Sequence, residues 1–415
     1  MAFLTSSDKA LWHLALPMIF SNITVPLLGL VDTAVIGHLD SPVYLGGVAV
    51  GATATSFLFM LLLFLRMSTT GLTAQAYGAK NPQALARALV QPLLLALGAG
   101  ALIALLRTPI IDLALHIVGG SEAVLEQARR FLEIRWLSAP ASLANLVLLG
   151  WLLGVQYARA PVILLIVGNI LNIVLDLWLV MGLHMNVQGA ALATVIAEYA
   201  TLLIGLMMVR KVLHMRGISL AMLKLAWRGN FRRLLALNRD IMLRSLLLQL
   251  CFGAITVLGA RLGSDIIAVN AVLMTLLTFT AYALDGFAYA VEAHSGQAYG
   301  ARDDSQLLAV WHAACRQSGM VALAFAATYA VAGQQIIALL TSLPSLQLLA
   351  DRYLIWQIVL PQILPSILAG FLLAFTFSFD DFIVAFFVAG SACSEARRPR
   401  NCAGVAAPNT GVEIL

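Results

Sequence analysis

Ten long apolar runs constrain the fold of this 415-residue chain more strongly than any other feature of its sequence. A helix needs about 20 mostly apolar residues to cross the hydrocarbon core of a bilayer, and every run reaches that length. Charged residues make up only 11% of the sequence, against about 25% in soluble domains, so lipid must solvate most of the surface. Few runs alternate as barrel strands do, which favours helices. The predicted spans are 11–39, 43–77, 84–106, 122–155, 160–183, 188–212, 241–262, 266–300, 305–331 and 353–379.

Basic residues concentrate in the connections that alternating spans would place on one side of the membrane. The opposite connections hold few, such as Arg107 and Arg261. This asymmetry follows the positive-inside rule, so we expect a multi-pass protein of a bacterial-type inner membrane with a cytoplasmic N-terminus. The same distribution argues against nucleic-acid binding. The basic positions are Lys9, Lys80, Arg87, Arg159 and Arg302, with Arg210, Lys211, Arg216, Lys224, Arg228, Arg232, Arg233 and Arg239 between the sixth and seventh spans.

An internal repeat predicts the architecture. The motif QAYGA at 75–79 recurs at 297–301, and RFL at 130–132 matches RYL at 352–354, both with an offset of 222 residues. Six spans in a half return the chain to its starting side, so the two halves should share one orientation. The sequence therefore predicts an all-α polytopic membrane protein with two parallel-repeat helical lobes.

The repeat also predicts where the domains begin and end. Counterparts of the fifth and sixth spans should fall near 382–434, but the sequence given ends at Leu415. About ten helices are therefore expected in place of 12, with the C-terminal two absent. The predicted domains are an N-terminal six-helix lobe over 1–212, a basic cytoplasmic linker over 213–240, an incomplete C-terminal lobe of about four helices over 241–379 and an atypical tail over 380–415.

Four polar residues within predicted spans form the candidate coupling site. Asp32 and Asp176 each lie seven residues before the outer end of a span, at one depth of roughly 10 Å. Asn172 precedes Asp176 by one helical turn, and Thr194 enters the sixth span to the same depth. Two carboxylates, an amide and a hydroxyl can carry a proton or bind Na⁺, and a merely structural capping role is the alternative. No other metal site and no cofactor are expected.

Two further acidic residues share one face of the eighth predicted span. Asp285 and Glu292 are seven residues apart, and they either line a cavity for a cationic substrate or form structural hydrogen bonds near the inner interface. Arg66 is expected to extend toward the cytoplasmic surface. The sequence contains no Walker A motif, nucleophile–base pair or zinc motif, so an enzyme is not expected.

Three segments resemble the DinF-type branch of the MATE (multidrug and toxic compound extrusion) family. They are GLVDTAVIGHL at 29–39, GNILNIVLDLWLVMGL at 168–183 followed by GAALAT at 189–194, and ALDGFAYAVEAHSGQAYGA at 283–301. The similarity runs from about residue 8 to Pro361. It implies two six-helix lobes around a central cavity and export of drugs or toxins coupled to inward flow of H⁺ or Na⁺. We expect a monomer that exports small cationic or amphipathic organic compounds by alternating access. The coupling residues of the family fall on Asp32, Asn172, Asp176 and Thr194.

The segment 361–390 instead resembles a polyamine-type ABC importer permease, which suggests a fusion, rearrangement or frameshift. Asp380 and Asp381 would then come from that family and have no role in export.

Three other functions compete with an antiporter. A lipid-linked-sugar flippase of the same superfamily would need basic residues in its cavity spans, and few are present. A truncated, non-transporting membrane protein and the channel subunit of an ABC importer are the others.

Overall fold

The computed structural model describes residues 6–37, 39, 41–229, 231–262, 264–340 and 344–354. All regular secondary structure in this part of the chain is helical. Seven of its helical segments are long and apolar enough to cross a membrane, and they coincide with seven of the predicted spans. The predicted spans 241–262 and 266–300 correspond to two further helices. Nearly all of the span 353–379, and the segments 361–390 and 380–415 with Asp380 and Asp381, lie outside the described residues.

The first half of the chain forms ten α-helices. Two predicted spans are each built from two consecutive α-helices. A turn at Leu62–Leu63 interrupts one span, and a 3-10 turn at Trp136–Ser138 interrupts the other. The helices are α1 (Ser6–Gly37), α2 (Pro42–Leu61), α3 (Phe64–Gly78), α4 (Pro82–Leu105), α5 (Arg107–Val118), α6 (Glu122–Arg135), α7 (Ala139–Gly154), α8 (Arg159–Asp176), α9 (Asn186–Met215) and the short α10 (Leu220–Ala226).

The second half contains α11 (Arg232–Leu262), α12 (Ser264–Gly300), α13 (Asp304–Leu340) and α14 (Pro344–Leu354). Small residues allow close packing within the first half, as expected where lipid supplies no hydrophobic drive between helices. A Cβ on Gly150 of α7 would lie 2.6 Å from the backbone oxygen of Arg66 on α3. A Cβ on Gly100 of α4 would lie 2.4 Å from the Cα of Pro140 on α7.

The two copies of the repeated motif end their helices in the same way. The backbone N–H of Asn81 donates to the oxygen of Ala76 at 3.1 Å, and that of Asp303 donates to the oxygen of Ala298 at 3.0 Å. The preceding residues, Lys80 and Arg302, adopt left-handed φ angles of 52° and 56°. Both ends are therefore Schellman-type, with a basic residue where glycine is usual. The two repeats are therefore alike even in the hydrogen bonds and φ angles of this single turn.

The two halves pack against each other at one end of the helix bundle. At this end α1 begins and α3, α7 and α12 terminate, and we call it the basic end because it carries Lys9, Lys80 and Arg302. The side chain of Gln156, just after α7, donates to that of Gln297 on α12 at 2.6 Å. Farther along α1, the ring of Trp12 lies 4.9 Å from that of Phe287.

A carboxylate cluster as the candidate coupling site

The acidic residues Asp32 and Asp176 meet where α1 packs against α8. Their carboxylates lie within hydrogen-bonding reach of each other. Asp176 is the last residue of α8 and is buried, with 1% of its surface exposed. The equal depth predicted from the two span ends therefore corresponds to direct proximity between the side chains.

Asn172 and Thr194 complete the group of four residues that the sequence singles out. The amide of Asn172 donates to the hydroxyl of Thr194 on α9 at 3.4 Å, and that hydroxyl donates to the backbone oxygen of Ala190 at 3.1 Å. The cluster thus joins α1, α8 and α9. All three helices belong to the first half of the chain.

Four oxygens in this cluster are buried without a donor. They are Oδ1 of Asp32, Oδ1 of Asn172 and both carboxylate oxygens of Asp176, and no N–H or O–H of the described residues donates to them. Buried acceptors normally have partners, because an unmatched one loses its bonds to water. A proton shared by the two carboxyl groups, or a cation bound between them, would satisfy these oxygens. Oxygen donors of this kind suit a hard cation such as Na⁺.

The helix widens immediately after Asp176. Residues Leu177–Gly182 form a π-helical turn, in which the N–H of Leu183 donates to the oxygen of Trp178 at 3.0 Å. Such turns are rare and often occur at functional sites. Nothing in the sequence signals this one.

A second polar contact joins the same two helices nearer the basic end. The amide of Asn169 donates to the hydroxyl of Thr24 at 2.6 Å. Sequence reasoning did not select these two residues. Asn169 precedes Asn172 by three residues, so the helical spacing of polar residues in the run GNILNIVLD was a usable signal.

Comparison with known proteins decides the family. The family model described as MatE matches residues 17–178 and 241–394. The chain belongs to the MATE family. It is 92% identical over 363 residues to DNA damage-inducible protein F of Escherichia coli K12, an alignment that covers 88% of this chain and 79% of that protein. As a MATE member it is a multi-pass membrane efflux transporter and not an enzyme.

More distant MATE relatives match about half of the chain. The probable multidrug resistance protein NorM of Acinetobacter baylyi is 27% identical over 199 residues, which cover 47% of this chain and 44% of that protein. The fold resembles a structure titled the outward-facing conformation of a multidrug resistance MATE family transporter. That match has a TM-score of 0.76 at 22% identity and covers 93% of this chain and 86% of the other.

The family match corrects one boundary. The sequence predicted that similarity to the MATE family would end near Pro361, but the match continues to residue 394. The resemblance of residues 361–390 to an ABC importer permease stays a prediction.

The two acidic residues predicted to line a cavity are on α12, a helix that does not contribute to the carboxylate cluster. Glu292 is fully buried and forms an ion pair with Arg66 of α3 at 3.4 Å, and the Arg66 guanidinium stacks 4.2 Å from the centre of the Tyr289 ring. The prediction that Arg66 reaches the surface is wrong, because the second half supplies a buried counter-charge. For Glu292, burial between the halves favours the structural alternative. Asp285 is half-buried on the same helix.

Proposed function

We propose that this MATE protein is a secondary antiporter that exports small organic compounds by alternating access, coupled to inward movement of H⁺ or Na⁺. The observation that carries the proposal is the acid pair, Asp32 and Asp176, with its buried, donor-free oxygens. A transporter needs a group whose charge changes when the driving cation binds or leaves, and intramembrane carboxylates are suited to that role. The names of its relatives, multidrug resistance and multidrug export proteins, support the substrate class.

The distribution of basic residues supports an orientation with the basic end in the cytoplasm. The described contacts between the halves extend from that end to about the middle of the helices. Asn22 of α1 donates to the backbone oxygen of Tyr282 at 3.3 Å, while Asp32 lies farther toward the opposite end of α1.

Helix α1 offers a physical route from cation binding to the position of the halves. It carries Asp32 near one end and packs through Trp12 and Asn22 against α12 of the other half. Pro26 lies between these two regions and removes a backbone hydrogen bond, which makes it a natural bending point. A cation at the acid pair relieves repulsion between α1 and α8. The state in which these helices lie closer is then favoured, because the cation binds it more tightly.

The experiment that tests the proposal is efflux of a fluorescent cationic dye from cells that express the chain. Asp32→Asn and Asp176→Asn should each abolish efflux at unchanged abundance in the membrane. Asp112→Asn is the matched control, because Asp112 is a half-exposed aspartate that pairs with Arg129 away from the cluster, and it should export like the parent. An inserted parent that exports no dye would contradict the proposal and favour the non-transporting alternative.

A second measurement distinguishes the two candidate cations. In proteoliposomes, dye transport is driven either by a pH gradient at constant Na⁺ or by a Na⁺ gradient at constant pH. If Na⁺ is the driving ion, Asp32, Asp176, Asn172 and Thr194 would hold it, and Asn172→Ala and Thr194→Val should both weaken its effect strongly. If the driving ion is H⁺, the carboxyl groups alone carry it, and these two variants should retain much of the transport rate.

A further inference from the structure

A second, partly buried polar group involves α9, one of the helices of the carboxylate cluster. The guanidinium of Arg135, the last residue of α6, donates to both oxygens of Glu198 on α9, at 2.9 and 3.2 Å. The side chains are 11% and 23% exposed. Arg135 ends the charged helix α6, and the membrane-spanning segment continues from there into the apolar helix α7. Ion pairs that are partly withdrawn from water within a membrane-spanning segment are costly and often serve a function.

Glu198 is held from several directions. Its carboxylate also accepts a hydrogen bond from the hydroxyl of Ser142, and its backbone oxygen accepts one from the side chain of Asn145 at 3.0 Å. Arg135 in turn donates to the hydroxyl of Ser138 at 2.5 Å. Through the side chain and the backbone oxygen of Glu198, these bonds fix one turn of α9 against α6 and α7.

The same turn of α9 presents Thr194 to the coupling site. Thr194 and Glu198 are four residues apart and share a helix face. Thr194 accepts the hydrogen bond from Asn172, and Arg135 lies within electrostatic reach of Asp32. The Arg135–Glu198 pair therefore lies one helical turn along α9 from a member of the coupling cluster.

Stability alone does not explain the pair. A buried ion pair can often be replaced by apolar residues of similar volume without loss of stability, whereas removal of one partner is strongly unfavourable. Its directional bonds, by contrast, define where α9 lies relative to α6. A bidentate arginine–carboxylate contact restricts both distance and orientation, which a single lysine bond cannot do.

We infer that Arg135 and Glu198 are positioning residues of the coupling site, which hold the α9 turn so that Thr194 meets Asn172 beside the acid pair. This inference rests on the proposed function of that site. It predicts that loss of the bidentate contact moves Thr194 away from Asn172 while the four coupling residues themselves stay intact.

A cross-linking experiment measures how close residue 194 lies to residue 172, and it does not depend on transport. The full chain with its four cysteines replaced would carry Asn172→Cys and Thr194→Cys, and a short bis-methanethiosulfonate reagent would bridge the two thiols. We expect Arg135→Lys and Glu198→Gln each to slow bridging about tenfold, the usual effect of one lost charge-assisted bond of about 1.4 kcal/mol. The exchange Arg135→Glu with Glu198→Arg should restore much of the rate. Arg130→Lys is the matched control, because Arg130 pairs with Glu126 on the exposed face of the same helix.

The transport assay supplies an independent readout on a chain with an unaltered coupling site. Arg135→Lys should raise the half-saturating concentration of the driving cation about tenfold and leave that of the dye unchanged. Equal bridging rates in all variants, or no bridging in the starting pair, would overturn the inference. Bridging that follows the expected order in a chain that exports nothing would contradict the proposed function alone.

Discussion

Gly78 on α3 lies so close to Gln297 on α12 that an added Cβ would sit 2.0 Å from the backbone oxygen of that glutamine. Gly300 has the same relationship with Gln75, also at 2.0 Å. All four residues belong to the repeated QAYGA motif, so the two copies contact each other across a pseudo-two-fold axis. The motif that reveals the repeat in the sequence also forms a close backbone contact between the halves.

This contact predicts that a single methyl group will separate the halves at the basic end. Gly78→Ala and Gly300→Ala should each destabilise the closed arrangement by roughly 1–3 kcal/mol, because a backbone oxygen cannot move aside as a side chain can. In a chain without its natural cysteines, Gln156→Cys reports on the change, since Gln156 contacts Gln297 at this interface. Its reaction with a membrane-impermeant maleimide added on the side of the basic end should become about tenfold faster.

The symmetry of the contact makes the two substitutions near-equivalent. Gly98→Ala is the control, because an added Cβ on Gly98 of α4 would have no heavy atom of the described residues within 4 Å, and it should leave the reaction rate unchanged. The prediction would be wrong if all three variants reacted with the maleimide at the same rate. It would also be wrong if only one of the two motif glycines changed that rate when substituted.

The buried pair of Arg66 and Glu292 leads to a second prediction, about stability. Glu292→Gln leaves a guanidinium without its full counter-charge between the halves, at a cost of about 3–5 kcal/mol. The double variant Arg66→Met with Glu292→Leu should be much closer to the parent, because it removes both charges and keeps the volume. Unfolding of the purified chain in mixed detergent micelles measures both free energies.

An exposed pair provides the comparison for that experiment. Glu126 and Arg130 are neighbours on α6 and about half exposed, so Glu126→Gln should change the free energy of unfolding by less than about 1 kcal/mol. If the double variant is as unstable as Glu292→Gln, the loss of unfolding free energy comes from the geometry of the pair and not from burial of a lone charge.

The sequence allowed the spans of the described part of the chain, the parallel repeat and the equal depth of Asp32 and Asp176 to be predicted, because each follows from periodicity along one chain. Run length gives the spans, and distance from the span ends gives the depth of a carboxylate. The partners of Arg66 and Arg135 could not be predicted in this way. They lie 226 and 63 residues away, on helices whose rotation about their axes no local pattern defines. The π-helical turn after Asp176 likewise depends on packing rather than on composition.

A third prediction concerns pH and the start of α13. Asp303 caps this helix, and hydrogen bonds from the Ser305 hydroxyl and the Gln306 backbone N–H lower the pKa of its carboxyl below the usual 3.8. Because the folded value is the lower one, the carboxylate stabilises the fold above the unfolded pKa, and this contribution disappears as the pH falls through the folded value. Asp303→Ala should therefore melt at a lower temperature than the parent at neutral pH, and the difference should shrink in acid. Asp303→Asn should show no such pH dependence, because an amide does not titrate in this range. It should still cap the helix, since Asn81 caps α4 through the same contact at the equivalent position of the first half. A difference between parent and Asp303→Ala that persists undiminished well below pH 3.8 would show that the charge of this cap does not contribute to stability.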